Sequence, residues 1–139
     1  MIQIRPCTQQ EETLIKDGLK TYSLGKLGIS ETVREGFFHL AAEDENGTLA
    51  GGILAEQYFS CCGFVSRLWV SEAFRGKGLG SRLLKEAERL LKEAGCTMVH
   101  LDTFDFQAKG FYEKQGYTLF GVLEDCPPGH CRYYLTKRL

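Results

Sequence analysis

The residues best suited to chemistry form a glycine-rich loop in the middle of the chain. They are Arg75, Gly76, Lys77, Gly78, Leu79, Gly80 and Ser81. The loop follows an apolar, aromatic stretch at residues 64–70 and precedes apolar residues at helical spacing, a stretch that Gly95 ends. The first N–H groups of a helix have no partner within the helix, so they bind anions readily. Because glycine lets an oxygen approach the main chain and Arg75 and Lys77 add positive charge, the loop is predicted to bind a phosphate.

Two other phosphate-binding motifs do not match this loop. A P-loop requires Gly-x-x-x-x-Gly-Lys followed by Ser or Thr, and that spacing does not occur. A dinucleotide fingerprint requires Gly-x-Gly-x-x-Gly after the first strand of a βαβ unit, whereas this loop reads Gly-x-Gly-x-Gly and lies mid-chain. A chain of 139 residues also leaves little room for a doubly wound sheet with a substrate domain.

The elements that position the loop are predicted strands and helices in alternation. The Asn46-Gly47 pair predicts a tight turn between strands at residues 37–42 and 48–58. Further strands are predicted at residues 2–5, 64–70, 97–102, 117–123 and 131–136, and helices at 8–20 with Thr8 as N-cap, at 79–94, at 107–115, and briefly around Ser30, Val33 and Arg34. A right-handed crossover makes the strands at 64–70 and 97–102 parallel neighbours. This order indicates an α/β (α+β) fold, a mixed sheet with helices on both faces.

The loop and a second segment together resemble a known family. Arg75-x-x-Gly78-x-Gly80 is similar to Gln/Arg-x-x-Gly-x-Gly/Ala, the acyl-CoA signature of the GNAT superfamily of N-acetyltransferases. A second run resembles that family's helix-to-strand segment. It reads Ala108-Lys109-Gly110-Phe111-Tyr112-Glu113-Lys114-Gln115-Gly116-Tyr117. With the surrounding strands, the two motifs cover residues 64–120.

This resemblance implies one acetyltransferase domain over residues 1–139, with a mostly antiparallel sheet of about six to seven strands. Two parallel strands of that sheet splay apart, and the pantetheine arm of acetyl-CoA lies in the gap. The residues assigned to acetyl-CoA are Leu68, Trp69, Val70, Arg75, Gly76, Lys77, Gly78, Leu79, Gly80, Ser81, Asp105 and Ala108. The side chain of Trp69 is expected in the core. Asp105 stands where many relatives have Asn, so its charge is expected to weaken the contact with the arm.

The implied reaction is direct attack of a primary amine on the thioester of acetyl-CoA in a ternary complex. It requires removal of a proton from the amine, a polarised carbonyl, and a proton for the leaving thiolate. Tyr112 occupies the family's tyrosine position and is predicted to protonate the thiolate. Many members have a glutamate on the central strand as general base, but residues 64–70 contain none. The base is left open among Glu56, His100, Asp102, His130 and a water relay.

Composition and charge argue against other classes of partner. The formal net charge is −1 and the basic residues are scattered among acids, so no nucleic-acid partner is expected. The six cysteines include no Cys-x-x-Cys, which argues against zinc and fits free thiols in a reducing cytoplasm. No stretch approaches transmembrane length, so no membrane partner is expected. A homodimer is left open.

Two alternatives to an N-acetyltransferase are kept. One is a non-catalytic acyl-CoA-binding sensor or regulatory module, and the other is a phosphate-binding fold for a different nucleotide. The acceptor, whether a small molecule, a peptide or a lysine, has no readable motif. Its specificity is expected to lie in residues 8–36 and 123–130, where Glu124 and Asp125 either favour a cationic acceptor or are simply solvated.

Overall fold

The computed structural model describes residues 1–29 and 33–139. They form two compact units, Met1–Val33 and Arg34–Leu139. The short helix predicted around Ser30, Val33 and Arg34 falls partly on residues 30–32, which lie outside the described residues. Val33 and Arg34 themselves are not helical.

The first unit contains one helix, α1 (Gln9–Leu27). Its N-terminus has the predicted cap: the Thr8 hydroxyl accepts from the Glu11 N–H at 3.2 Å, and the Glu11 carboxylate accepts from the Thr8 N–H at 2.8 Å. The helix continues past the predicted end near residue 20, because the left-handed residue that stops it is Gly28, with φ 64°. The strand predicted at residues 2–5 is wrong. Arg5 instead pairs with Glu11 in the first turn of α1, at 2.8 Å.

The second unit is built on a seven-stranded sheet. Its strands are β1 (Gly36–Phe37), β2 (Leu40–Glu43), β3 (Leu49–Tyr58), β4 (Cys62–Val70), β5 (Met98–Phe104), β6 (Thr118–Leu123) and β7 (Arg132–Arg138). The strand order is β1-β3-β4-β5-β7-β6, and β2 also pairs with β3. β4 and β5 run parallel, and the other pairs described are antiparallel. The mixed, mostly antiparallel sheet is therefore confirmed.

The α-helices of this unit are α2 (Leu79–Glu93) and α3 (Lys109–Lys114). α2 buries Leu83, Leu84, Ala87 and Leu91, which share one core with Ile53, Val65, Val99, Leu101 and Leu135 of the sheet. Each such Leu, Ile or Val side chain stabilises the fold by roughly 1.5–3 kcal/mol when fully buried. The Ser81 hydroxyl donates to the Gln115 side chain at 3.1 Å and joins the start of α2 to the end of α3.

β4 and β5 separate toward their carboxyl ends. Their pairing runs from Cys62 opposite Met98 to Val65 opposite Leu101, and both strands continue beyond it. At this point the register between β3 and β4 shifts, so that Ser66 is an extra residue. Such a bulge bends a strand and increases its twist. The bulge therefore coincides with the opening between the two parallel strands.

Candidate functional site

A cavity of about 880 Å³ occupies the gap between the separated ends of β4 and β5. Its walls come from both strands, from the loops that follow them, from α3 and from the start of β7. The lining residues are Val65, Ser66, Arg67, Leu68, Trp69, Val70, Arg75, Asp102, Thr103, Phe104, Phe106, Gln107, Ala108, Tyr112 and Arg132. This volume is typical of a small-molecule or cofactor site.

Five of the twelve residues predicted to bind a cofactor line this cavity. They are Leu68, Trp69, Val70, Arg75 and Ala108. Trp69 differs from its expected place in the core, because its side chain is 50% exposed and lines the cavity. The remaining loop residues, 76–81, lead from Arg75 into α2 beyond the lining.

The glycine loop presents open main chain at the start of α2. Gly76 and Gly78 have φ of 75° and 78°, and no atom lies within 4 Å of the position a Cβ would take at either residue. Gly78 is the N-cap of α2, so it has no side chain to cap the helix, and the first turn contains no acidic residue. The first N–H groups of α2 are therefore suited to an external anion. Arg75 fixes the loop to the end of β4, since its Nε donates to the Val70 carbonyl at 2.9 Å.

Tyr112 projects from α3 into the wall of the cavity. It is 6% exposed and packs edge-on against Phe111 and Tyr117, with ring centroids 5.1 and 5.7 Å away. Burial, with a smaller contribution from the charge of Asp102, raises the pKa of Tyr112 to about 12. Its phenol therefore keeps its proton at neutral pH.

The cavity wall contains an ion pair, of which only one partner was predicted from the sequence. Asp102, a candidate base, accepts from Nε and Nη2 of Arg132 at 3.0 and 2.8 Å. The guanidinium also lies 5.4 Å from the ring centroids of Phe104 and Tyr134. Arg132 was not singled out, because 30 residues separate it from Asp102 and no local pattern connects them.

The other three candidate bases, Glu56, His100 and His130, lie outside the cavity lining. Glu56 is on β3 opposite Phe64. His100 is on β5, where its Nε2 is 2.6 Å from the Tyr58 hydroxyl and its ring packs on Phe64. Burial lowers the pKa of His100.

Asp105 and His130 form a pair beside the cavity. One carboxylate oxygen of Asp105 is 2.8 Å from Nδ1 of His130, and the other accepts from the Cys131 N–H at 2.9 Å. These contacts, the Cys131 N–H first, lower the pKa of Asp105. Asp105 does not line the cavity, although its neighbours Phe104 and Phe106 do. The sequence marked both residues but gave no sign that they meet.

Metal binding and membrane insertion were considered for residues 1–29 and 33–139, the described part of the chain. Within these ranges, no group of three or more His, Cys, Asp or Glu side chains is placed to hold a metal ion. In the same part of the chain, no helix has the length and apolar character needed to cross a membrane.

Comparison with known proteins gives consistent matches. Residues 8–117 match the model of the acetyltransferase (GNAT) family. The blasticidin-S acetyltransferase of Streptomyces morookaense is 44% identical over 96 residues, which cover 68% of this chain and 70% of that protein. The crystal structure of an acetyltransferase from Bacillus cereus superposes with a TM-score of 0.90 at 36% identity, covering 99% of this chain and 98% of the other. An aminoglycoside 6′-N-acetyltransferase complexed with coenzyme A shares the fold, with a TM-score of 0.66 at 23% identity over 73% of this chain and 72% of the other.

Proposed function

The chain belongs to the acetyltransferase (GNAT) family, and on that basis we propose that it transfers the acetyl group of acetyl-CoA to a primary amine. The membership confirms the resemblance drawn from the glycine loop and the segment that begins at Ala108. The observation that carries the proposal is the cavity between β4 and β5, with the glycine loop at one end and Tyr112 in its wall. The family match over residues 8–117 spans both compact units, which supports one catalytic domain.

The binding of acetyl-CoA is assigned to the two backbone features of the site. The pyrophosphate would be bound by the N–H groups of residues 76–81, with positive charge from Arg75 and Lys77. The open space beside Gly76 and Gly78 fits this assignment. The amide groups of the pantetheine arm would bond to the edge of β4 at residues 68–70, which β5 leaves unpaired. Ala108, which lines the cavity, is proposed to bound the arm on the side of β5, whereas Asp105 lies outside the lining.

The acyl transfer needs one proton donor from the chain. The amine nitrogen forms a bond to the thioester carbonyl carbon, and the carbon–sulfur bond breaks. Tyr112 then gives its phenolic proton to the thiolate of CoA, and the phenolate recovers a proton from the new ammonium group or from water. The raised pKa of Tyr112 supports this role, because the group carries its proton when the thiolate leaves.

The acceptor is proposed to be a small molecule with a primary amine. This rests on the blasticidin-S acetyltransferase, which is 44% identical over the matched 96 residues. A panel of blasticidin S, spermidine and tryptamine, assayed for release of CoA, samples a nucleoside antibiotic, a polyamine and an aromatic amine.

The test of the donor site is a calorimetric titration with acetyl-CoA. It compares the wild type with Gly78→Glu, which adds bulk and negative charge at the proposed phosphate site. Gly47→Glu is the matched control, since Gly47 also has φ 78° and open space around it but lies in the turn between β2 and β3. We expect equal micromolar binding by the wild type and Gly47→Glu, and a loss of at least about tenfold in Gly78→Glu, or roughly 1.4 kcal/mol.

Three other results would redirect the proposal. Equal binding by both variants would mean that the glycine loop does not bind the phosphate. A folded wild type that binds ATP but no acetyl-CoA would favour a different nucleotide. Binding of acetyl-CoA without turnover of any amine in the panel would favour a non-catalytic acyl-CoA-binding module.

A further inference from the structure

The pair formed by Asp105 and His130 is arranged like an oriented base. Asp105 precedes Phe106, which lines the cavity and whose ring is nearly perpendicular to the His130 ring at a centroid distance of 5.1 Å. His130 lies two residues before Arg132, which also lines the cavity. The pair therefore borders the cavity where β5 ends and β7 begins. The His130 side chain is 47% exposed, so a molecule entering from solvent can reach it.

The tautomer of His130 follows from its partner. A carboxylate only accepts hydrogen bonds, and the lowered pKa of Asp105 keeps it ionised at neutral pH. Nδ1 must then carry the proton that bridges the 2.8 Å to Asp105. A neutral imidazole with its proton on Nδ1 has its lone pair on Nε2. His130 thus holds a proton acceptor that its partner does not occupy.

The surrounding backbone fixes both residues. The Cys131 N–H anchors the second oxygen of Asp105 at 2.9 Å. The His130 N–H donates to the Pro127 carbonyl at 2.9 Å, and the His130 carbonyl accepts from the Cys126 N–H at 3.0 Å. The turn between β6 and β7 therefore holds the imidazole in place rather than leaving it on a free loop.

We propose that His130 is the general base that deprotonates the acceptor amine, and that Asp105 is its positioning residue. The inference rests on the proposed N-acetyltransferase function. Nε2 of His130 takes one proton from the bound ammonium group, whose nitrogen lone pair then forms the bond to the thioester carbon. Tyr112 supplies the separate proton that the leaving thiolate requires. The imidazolium returns its proton to solvent, so each turnover releases the acetylated amine, CoA and one proton from the ammonium group.

The other candidate bases are less suited to this step. Asp102 already accepts from two nitrogens of Arg132 and is engaged in that ion pair. Nε2 of His100 is occupied by the Tyr58 hydroxyl. Glu56 and His130 are both outside the cavity lining, but His130 contacts Phe106, which lines the cavity, whereas Glu56 lies opposite Phe64, which does not.

Several titratable groups set the electrostatics around His130. Asp105 approaches from the loop after β5, and Asp125 and Cys126 belong to the same turn as His130. Cys131 and Arg132 follow it in the chain, and Arg132 is neutralised by Asp102. Asp105 is the carboxylate in direct contact, so it stabilises the imidazolium that forms during the reaction.

The test is the pH dependence of kcat/KM for the panel amine that the wild type turns over fastest. The variants are His130→Gln and Asp105→Asn, and His39→Gln is the matched control, since His39 is exposed between β1 and β2. We expect His130→Gln to lower kcat by about 100-fold or more and to lose the acidic limb of the profile. Asp105→Asn should lower kcat by about tenfold or more, because an Asn amide can donate to Nδ1 of His130 and thereby place the ring proton on Nε2. His39→Gln should match the wild type, and the KM for acetyl-CoA should stay within about twofold throughout.

The outcomes separate this inference from the proposed function. A wild type that acetylates no amine contradicts both. Turnover by the wild type with an unchanged kcat and acidic limb in His130→Gln overturns the base assignment alone. If His130→Gln does not fold by circular dichroism, Asp105→Asn decides: a kcat equal to that of the wild type overturns the proposal. Nitrogen NMR of the His130 imidazole in the wild type and Asp105→Asn reads the tautomer without turnover, and a wild-type ring protonated on Nε2 rather than Nδ1 also overturns it.

Discussion

At the residue scale, the protonation of Tyr112 is set by its surroundings. The ring is buried between α3 and the sheet, and its pKa is raised to about 12. Tyr112→Phe keeps the ring and removes only the hydroxyl that donates the proton, so we expect kcat to fall by about 100-fold or more. The affinity for acetyl-CoA, measured by calorimetry, should not change. Wild-type kcat should show no alkaline loss due to Tyr112 up to about pH 10, because a group with a pKa near 12 remains protonated there.

Two other results would change the role assigned to Tyr112. Unchanged turnover in Tyr112→Phe would show that the thiolate leaves without this proton or receives it from water. A parallel loss of acetyl-CoA affinity and kcat would instead assign Tyr112 to binding.

The site residues that the sequence revealed are those in local motifs. The glycine loop and Tyr112 lie in contiguous segments whose spacing can be read directly, and Tyr112 lies in the cavity wall. The pairs Asp102 with Arg132 and Asp105 with His130 join residues 30 and 25 positions apart. Such contacts depend on the pairing of β5 with β7, which no local pattern encodes.

At the element scale, the position of the β4 end depends on a small residue in β3. A Cβ on Gly51 would be 2.6 Å from the Trp69 carbonyl oxygen and 3.2 Å from the Val70 Cα. Gly51→Ala must therefore displace the strand edge proposed to bind the pantetheine arm. We expect a loss of stability of about 1–3 kcal/mol and a loss of acetyl-CoA affinity of about tenfold. Urea unfolding and calorimetric titration measure the two effects.

The neighbouring glycine provides the control for this experiment. A Cβ on Gly52 would be 2.8 Å from the Leu40 carbonyl oxygen, on the side of β2. Gly52→Ala should cost comparable stability and leave the affinity for acetyl-CoA unchanged. Equal affinities in the two variants would contradict the assignment of residues 68–70 to the arm.

The elements themselves were predicted where a local signal exists. The Asn46-Gly47 pair predicted the hairpin of β2 and β3, in which Gly47 has φ 78°. Gly95, with φ 105°, ends the α2 segment as predicted. The strand predicted at residues 2–5 failed because an apolar alternation of four residues does not specify a partner strand. The bulge at Ser66, which coincides with the opening of the cavity, has no signature in the sequence.

At the scale of the whole molecule, one buried network joins three parts of the second unit. Glu88 of α2 accepts from Lys137 of β7 and from the Tyr117 hydroxyl ahead of β6, each at 2.8 Å. The side chains of Glu88 and Lys137 are 11% and 27% exposed, so the charges are largely removed from water. Removing one partner of such a pair leaves the other charge buried without compensation.

Glu88→Gln is therefore expected to destabilise the protein by about 2–3 kcal/mol, below the value for a fully buried pair because Lys137 keeps some contact with water. Glu86→Gln is the matched control on the same helix, since Glu86 pairs with Arg89 at 2.8 Å but both side chains are about half exposed. Its stability should stay close to that of the wild type. The measurement is the urea midpoint at constant m. Equal midpoints in the two variants would mean that water reaches Glu88 and that packing, not this network, holds α2 against β7.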